Sequence, residues 1–421
     1  MATEARKIDV IVLGAGAAGL ICAATAGQRG RRVLLLDHNG QPGRKILISG
    51  GGRCNFTNLH CGAGNFISEN PHFAKSALAL YSPQHFIELV ERYGIPWHEK
   101  TLGQLFCDGS ARAIVEMLLA ECAAGGVEII LNATCGGAKS LRQSERDWRS
   151  ALATVQSNDA RGGFRVTTSA GEFQSESLVV ATGGLSIPKL GATGLGYDLA
   201  RQFRLAVVEP RPALVPLVLG GEEAAWTRLA GVSAEVEASV GRARFREKML
   251  VTHRGLSGPA ILQASSYWRP GAELVLDFAP ESLPRSQNRD LGHPLFEGLK
   301  QPGARRDLAA VKQALRAVLP QRLADHLAET GGPKGWSNAA LAEFEGRMRQ
   351  WRLHPVGTEG FEKAEVTAGG VDTACLQART MEARSVLGLF FVGEVVDVTG
   401  QLGGFNFQWA WASGVAAGRA V

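Results

Sequence analysis

The sequence predicts an α/β protein: a parallel βαβ nucleotide-binding domain, interrupted by a β-rich insertion that itself carries a run of helices. Three observations predict it. A strand, glycine turn and helix open the chain at Asp9-Val10-Ile11-Val12-Leu13-Gly14-Ala15-Gly16-Ala17-Ala18-Gly19. Short alternating segments broken by Pro210, Pro212 and Pro216 begin near Leu205 and give way to helical periods after Asp307. An apolar strand and a small-residue helix close the chain, so its last residues complete the first domain.

At 421 residues there is room for two or three domains. A net charge of +5, with both signs mixed, is compatible with an anionic cofactor and too weak to argue for nucleic acid. Met1 to Lys7 is short and polar, so no secretory signal is expected. Cys22, Cys54, Cys61, Cys107, Cys122, Cys135 and Cys375 include no C-x-x-C and do not cluster with His. That argues against a metal site. An odd cysteine count without a signal predicts a cytoplasmic protein. Val10 to Gln28 carries no charge and also reads as a membrane span. Its Gly and Ala content and the adjoining strand argue against one.

Val10 to Leu13 is a buried strand and Leu20 to Arg29 an Ala-rich helix. Between them Gly14 permits the turn, Gly16 lets backbone approach a pyrophosphate, and Gly19 lets helix pack on strand. The helix N-terminus offers free N–H groups and partial positive charge. Arg32 to Leu36 is a second strand ending at Asp37, about 20 residues on, where this fingerprint places an acceptor for ribose hydroxyls. Next comes Gly43-Arg44-Lys45, then Ser49-Gly50-Gly51-Gly52-Arg53-Cys54-Asn55. Consecutive glycines among basic and amide side chains suit backbone pressed against a flat or phosphorylated ligand. Arg44, Lys45 and Arg53 can neutralise a pyrophosphate.

Pro83–Tyr93 and Ala111–Ala124 are amphipathic helices, and Glu128–Leu131 is a strand parallel to the first two. Trp148–Val155, Phe164–Thr168 and Glu172–Gln174 alternate as a small meander over 148–175. Ser177–Ala181 is a buried strand leading into Thr182-Gly183-Gly184, and Gly194–Arg204 is a Gly-opened helix. Val215–Leu219, Glu235–Val240, Ala243–Lys248 and Glu273–Asp277 form the insert, read as a small barrel. Asp307–Leu319, Pro320–Thr330 and Ala339–Trp351 are its helices. The chain returns near Glu365, with a strand over Gly388–Val392 and a helix over Phe407–Arg419. The expected division is 1–205 plus 365–421 for a Rossmann-like domain, 206–281 plus 352–364 for the insert, and 282–351 for a helical subdomain. Four separated glycine-rich stretches (14–19, 43–55, 182–196, 393–406) are too many for a simple dinucleotide cleft. They predict tightly held FAD. A second full fingerprint is missing.

Gly43 through Asn58 resembles the G-R-K-x-x-x-S-G-G-G-R-C-N-x-T-N signature of the bacterial BaiN/YhiN-like flavoprotein family, FAD-dependent oxidoreductases of the glutathione-reductase-like superfamily. The resemblance continues through Leu102–Phe106 with Ala111–Val115, Thr182–Gly184 with Gly191–Tyr197, and Thr252–Pro259. It ends with Thr367–Val371, Gly393–Asp397 and Gly403–Asn406. Gln104 and Cys107 stand where many members have Arg and Pro, and Phe56 replaces an aliphatic, which marks a divergent branch.

The resemblance implies that Glu394 binds the flavin ribityl chain and that backbone at Ala133 and Thr134 meets the adenine. It also implies that the helix opened by Gly403, Gly404, Phe405 and Asn406 points at the pyrimidine edge. NAD(P)H is then a transient reductant that docks without a second Rossmann unit. The expected cofactor contacts begin with Gly14, Ala15, Gly16, Ala17, Ala18, Gly19, Asp37 and His38. They continue with Arg44, Lys45, Ser49, Gly50, Gly51, Gly52, Arg53, Cys54 and Asn55. Ala133, Thr134, Thr182, Gly183, Gly184, Gly393, Glu394 and the four residues opening the last helix complete the set.

Candidates for direct chemistry are few. Cys54 follows the glycines and an Arg, which suits either a reactive thiol or a packing residue. His253 is a proton donor or a loop residue, and Arg254 holds an anionic group or faces solvent. Trp409 and Trp411 suit a packed helix better than a substrate box. The leading reading is a flavin-dependent reductase or dehydrogenase of a small organic substrate. Reduction of carbonyl-conjugated C=C bonds is implied by the family. The alternative is an FAD protein that binds or modifies RNA through Arg242, Arg244, Arg246, Lys248, Arg305 and Arg306. Their apolar and acidic neighbours favour a solvated face instead. A third reading is electron transfer without a dedicated substrate.

Overall fold

The computed structural model describes residues 6–134, 155–157, 163–279 and 295–421. They form two units, Met1–Arg211 with Val366–Val421, and Pro212–Glu365.

The first unit is built on β1 (Arg6–Leu13), α1 (Ala17–Gln28), β2 (Val33–Leu36), α2 (Arg112–Ala124), β3 (Glu128–Ile130), β4 (Gly171–Val180), β5 (Leu389–Phe391) and α3 (Phe405–Ala420). The parallel strands lie in the order β3-β2-β1-β4-β5. Val10 stands opposite Val33 on one side and Ser177 on the other. Residues Val10–Leu13 and Val33–Leu36 are all buried, as parallel strands covered on both faces require.

The expected meander strand Glu172–Gln174 and core strand Ser177–Ala181 are one element, β4. One edge pairs β1 along its length. The other edge is shared, with Phe164–Thr168 antiparallel to Gly171–Ser175 and β5 parallel to Leu178–Val180. Glu172 and Glu176 face solvent whereas Leu178–Val180 are buried, so a change of surroundings within one strand reads as two. The part of the meander over 148–154 lies outside the described residues.

The charge-free α1 is an interior helix. A Cβ on Gly27 would lie 2.5 Å from Gly125 O, just after α2. Cβ atoms on Gly414 and Gly418 of α3 would lie 2.6 Å from Ala18 O and 2.7 Å from Cys22 O. Neighbours thus wrap a helix that is apolar nearly all round. No helix among the described residues is long and apolar enough to cross a membrane.

In the second unit an antiparallel sheet runs in the order Trp351–Leu353, Leu274–Asp277, Ser233–Val240, Ala243–Val251, Gly255–Ser257, Leu217–Val218, Gly357–Thr358. Its two edge strands are successive in the chain, with only His354, Pro355 and Val356 between them. The sheet must curl to bring them together, as a barrel-like insert requires. Helices Leu308–Arg316, Gln321–Gly331 and Asn338–Arg349 share one hydrophobic core with this sheet, through Leu315, Leu327, Phe344, Val236 and Leu276.

Candidate functional site

Segments distant in sequence line one cradle in the first unit. The Gly14 turn lies against the end of β4, where a Cβ on Gly14 would sit 2.4 Å from Ala181 O. Gly43 donates its N–H to Ala15 O at 2.8 Å, docking the glycine loop on the first turn. A Cβ on Gly393 would lie 2.8 Å from Ala18 Cβ. A Cβ on Gly404 would lie 2.4 Å from Thr57 O, so the 43–58 segment also meets the start of α3. Asn58 Nδ2 donates to Gly403 O at 2.9 Å.

Three glycines line open space instead. A Cβ on Gly16, Gly51 or Gly183 would meet no atom within 4 Å. Their backbones face open space at the N-terminus of α1, in the glycine loop and after β4. Among the described residues, Thr182 Oγ1 and Tyr197 Oη are buried without a hydrogen-bond partner. Open backbone at a helix N-terminus with orphaned hydroxyls nearby suits a phosphorylated cofactor. These residues fit FAD.

Lys45 and Glu394 meet inside the cradle. Lys45 Nζ donates to Glu394 Oε2 at 2.5 Å and to Ser186 Oγ at 2.7 Å. Ser186 Oγ and Thr367 N–H donate to Glu394 Oε1 at 2.8 and 2.9 Å. Thr367 Oγ1 accepts from Leu185 and Ser186 N–H. Ser186 and Thr367 escape sequence reasoning, because their partners lie far along the chain. Tyr197 is buried beside this carboxylate, and burial pushes its phenol well above the usual range.

Buried polar groups of α3 hold the surrounding backbone. Gly393 N–H donates to Ser413 Oγ at 2.9 Å, and Trp409 Nε1 donates to Gly393 O at 3.0 Å. Trp411 Nε1 donates to Phe56 O at 2.8 Å. Gln408, fully buried, accepts from Thr57 Oγ1 and donates to Tyr81 O. Both tryptophans are thus packing and anchoring residues. Phe405 packs edge-on to Phe66, and Asn406 folds back on Gly400, accepting its N–H and donating to its carbonyl.

At the other end of the cradle several expected ligands already serve the protein. Asp37 Oδ2 accepts from Ala15 N–H at 2.6 Å, and Oδ1 accepts from Asn39 N–H at 2.7 Å and from its side chain. His38 Nδ1 lies 3.7 Å from that carboxylate. Arg44 donates to Asn39 Oδ1 at 2.6 Å and to Lys189 O. Ala133 N–H donates to Asp37 O, and Thr134 N–H to Ser169 Oγ. The carboxylate foreseen for ribose thus first holds the glycine turn. Ser49 Oγ donates to Ile46 O, and the Arg53 side chain is exposed.

Cys54 requires correction as a reactive thiol. It is fully buried, at a positive φ of 52°, and burial drives its thiol far above the usual range. A low thiol pKa needs an electropositive, partly exposed setting, so Cys54 is a packing residue. His253 and Arg254 belong to the second unit, exposed on the turn before Gly255–Ser257. Arg254 lies 3.9 Å from Glu359. Of the basic residues considered for RNA, three on the same unit face acids, Arg244 with Glu237, Arg246 with Glu235 and Arg305 with Asp307, and Arg306 donates to the carbonyls of Trp336 and Lys300. Among the described residues no group of three or more His, Cys, Asp or Glu can hold a metal ion.

Residues 8–420 match the HI0933-like protein Rossmann domain. The chain belongs to this family. Its members are flavoprotein oxidoreductases, and the resemblance read at Gly43–Asn58 extends over the whole length. The chain is 46% identical to the ribosomal RNA dihydrouridine synthase of Escherichia coli, over 98% of each protein. It is 42% identical to the Haemophilus influenzae protein of that name, again over 98% of each. The 3-dehydro-bile acid delta(4,6)-reductase of Clostridium scindens is 30% identical over 97% of this chain and 98% of that one. Among solved structures, the 3-ketosteroid-delta4-(5alpha)-dehydrogenase of Rhodococcus jostii aligns over 99% of this chain and 98% of its own. Its TM-score is 0.47 at 15% identity. The chain is therefore a member of a family of FAD-dependent oxidoreductases.

Proposed function

We propose that this protein is an FAD-dependent reductase that saturates a carbonyl-conjugated C=C bond, with the uracil ring of a uridine in ribosomal RNA as its substrate. The observation that carries the reading is identity of 46% and 42% across 98% of two relatives named as ribosomal RNA dihydrouridine synthases. The more distant relative is named for delta(4,6) reduction of a 3-dehydro-bile acid. The two reactions are one chemistry, since the uracil 5,6 bond and a ring enone are both polarised by a conjugated carbonyl. This reverses the weight that net charge alone places against RNA.

When bound, FAD would supply two-electron chemistry, taking hydride from a donor and delivering it to the polarised carbon, with water supplying the proton to the neighbouring carbon. The chain's own residues bind and orient. The α1 N-terminus and the open backbone at Gly16, Gly51 and Gly183 take the phosphates and ring system. Lys45, fixed by Glu394 and Ser186, supplies a positioned hydrogen-bond donor, and the N-terminus of α3 brings partial positive charge to the same cradle. A helix end stabilises adjacent negative charge by about 0.3–2 kcal/mol. NADPH or NADH is the proposed hydride source.

The test is incubation of the FAD-loaded protein with NADPH or NADH and an unmodified ribosomal RNA transcript, followed by nucleoside mass spectrometry. A gain of two hydrogens on uridine is expected. Turnover of a 3-keto-4-ene steroid with no change in the RNA would favour the second reading, a small-molecule enone reductase, which the Clostridium relative supports.

A further inference from the structure

Beside the glycine loop, the sheet of Asn55–Asn58, Gln104–Cys107 and Trp97–Glu99 carries a solvent-facing strip that the cradle does not use. His98 stands opposite Phe106 in the antiparallel ladder, and their rings stack at 6.2 Å with planes 18° apart. Asp108 Oδ1 holds His98 Nδ1 at 2.6 Å, which fixes the imidazole plane. Phe106 is buried, backing His98 on one side and touching the glycine loop on the other. A Cβ on Gly50 would lie 2.8 Å from its ring. The His98 side chain is 43% exposed.

Cations stand on the elements that frame this ring. Lys100 Nζ lies 5.3 Å from the Phe106 centroid. Ala111 N–H donates to Gly52 O at 2.7 Å, which docks the backbone just before Arg112 on the loop. Cys107 N–H donates to Arg53 O, which ties the backbone of Arg53 to the strand that carries Phe106. All three cations are exposed, and no ion pair engages them among the described residues. Two carboxylates share the strip, each with a fixed partner: Glu99 accepts from Gly103 N–H and Asp108 holds His98. On the insert, by contrast, Arg244, Arg246, Arg316 and Arg352 each face a carboxylate.

We propose that this strip is a binding site for single-stranded RNA, with a base stacked on His98 and phosphates held by Lys100 and Arg112. A flat ring fixed in plane is a stacking platform, and unpaired cations beside it neutralise the backbone. The proposal rests on the RNA-substrate reading and locates the contact on the FAD-binding unit.

The experiment measures binding of oligouridine and of an unmodified ribosomal RNA transcript to FAD-loaded full-length protein across a salt series. His98→Ala is expected to weaken binding roughly ten-fold, and His98→Phe to restore it, because stacking needs the ring and not its nitrogen. Lys100→Glu and Arg112→Glu are expected to weaken it severalfold and to lower the salt slope by about 1 each. Arg244→Glu and Arg246→Glu are the controls expected to bind normally. Flavin absorbance and melting temperature report that each variant is folded and loaded. Normal binding by wild type with no loss in the strip variants would overturn this inference alone. Failure of wild type to bind either RNA would overturn the RNA-substrate reading and the site with it.

Discussion

Lys45 and Glu394, 349 positions apart, meet at 2.5 Å in the cradle of the first unit. The glycine loop contributes the cation and the turn after β5 contributes the acid, so this ion pair ties together the two ends of the domain. Ser186 and Thr367 complete the acid's partners.

Glu394→Gln should weaken FAD binding about ten-fold. That lies between the ~1 kcal/mol of an exposed ion pair and the ~3–5 kcal/mol of a buried one. The Lys45 and Glu394 side chains are 36% and 18% exposed. Flavin fluorescence titration reads the constant. Arg305→Ala, in the second unit, should leave it unchanged, and equal affinities for all three proteins would remove Glu394 from the site.

Gly16→Val and Gly19→Ala should separate binding from folding. A Cβ on Gly16 meets no neighbouring atom within 4 Å, whereas a Cβ on Gly19 would fall 1.8 Å from Gly14 O. Gly16→Val should keep the apoprotein melting temperature and lose FAD. Gly19→Ala should destabilise the apoprotein by about 1–3 kcal/mol or more. Thermal unfolding of flavin-free protein distinguishes them, and a Gly16→Val protein that retains FAD would contradict the cradle.

Ser413→Ala leaves the Gly393 N–H without its acceptor in a buried place. A loss of about 1–3 kcal/mol is expected in urea unfolding.

The Asp397 carboxyl titrates above its usual value of 3.8, first because it is buried, although Glu69 N–H donates to it at 2.8 Å. The folded protein therefore holds this proton more tightly than the unfolded chain. The cost of charging it is fully present above the raised value and fades as pH falls to the ordinary one. Asp397→Asn should melt above wild type at pH 7, and the gap should close below about pH 4. A gap independent of pH would show that charge is not its origin.

Cys54→Ser should retain FAD, and Cys54 in the folded protein should resist alkylation until denaturant is added. Peptide mass mapping of the labelled thiols checks both burial and reactivity.

The sequence by itself determined what local pattern can encode. The apolar runs Val10–Leu13 and Val33–Leu36, the glycine spacing between them and the helical period of Arg112–Ala124 each depend on neighbours in the chain. Their elements appear where expected, as do the strands and helices of the insert. Only the tertiary structure decided which side chains meet. Nothing near Lys45 announces Glu394, nothing near Asp37 announces that its carboxylate serves Ala15 N–H, and nothing beside Cys54 shows that it is sealed from solvent. It also merged two expected strands into β4, because one strand crosses from a half-exposed edge into the core. Pairing energies and burial depend on groups brought together by folding, and that information is absent from local spacing.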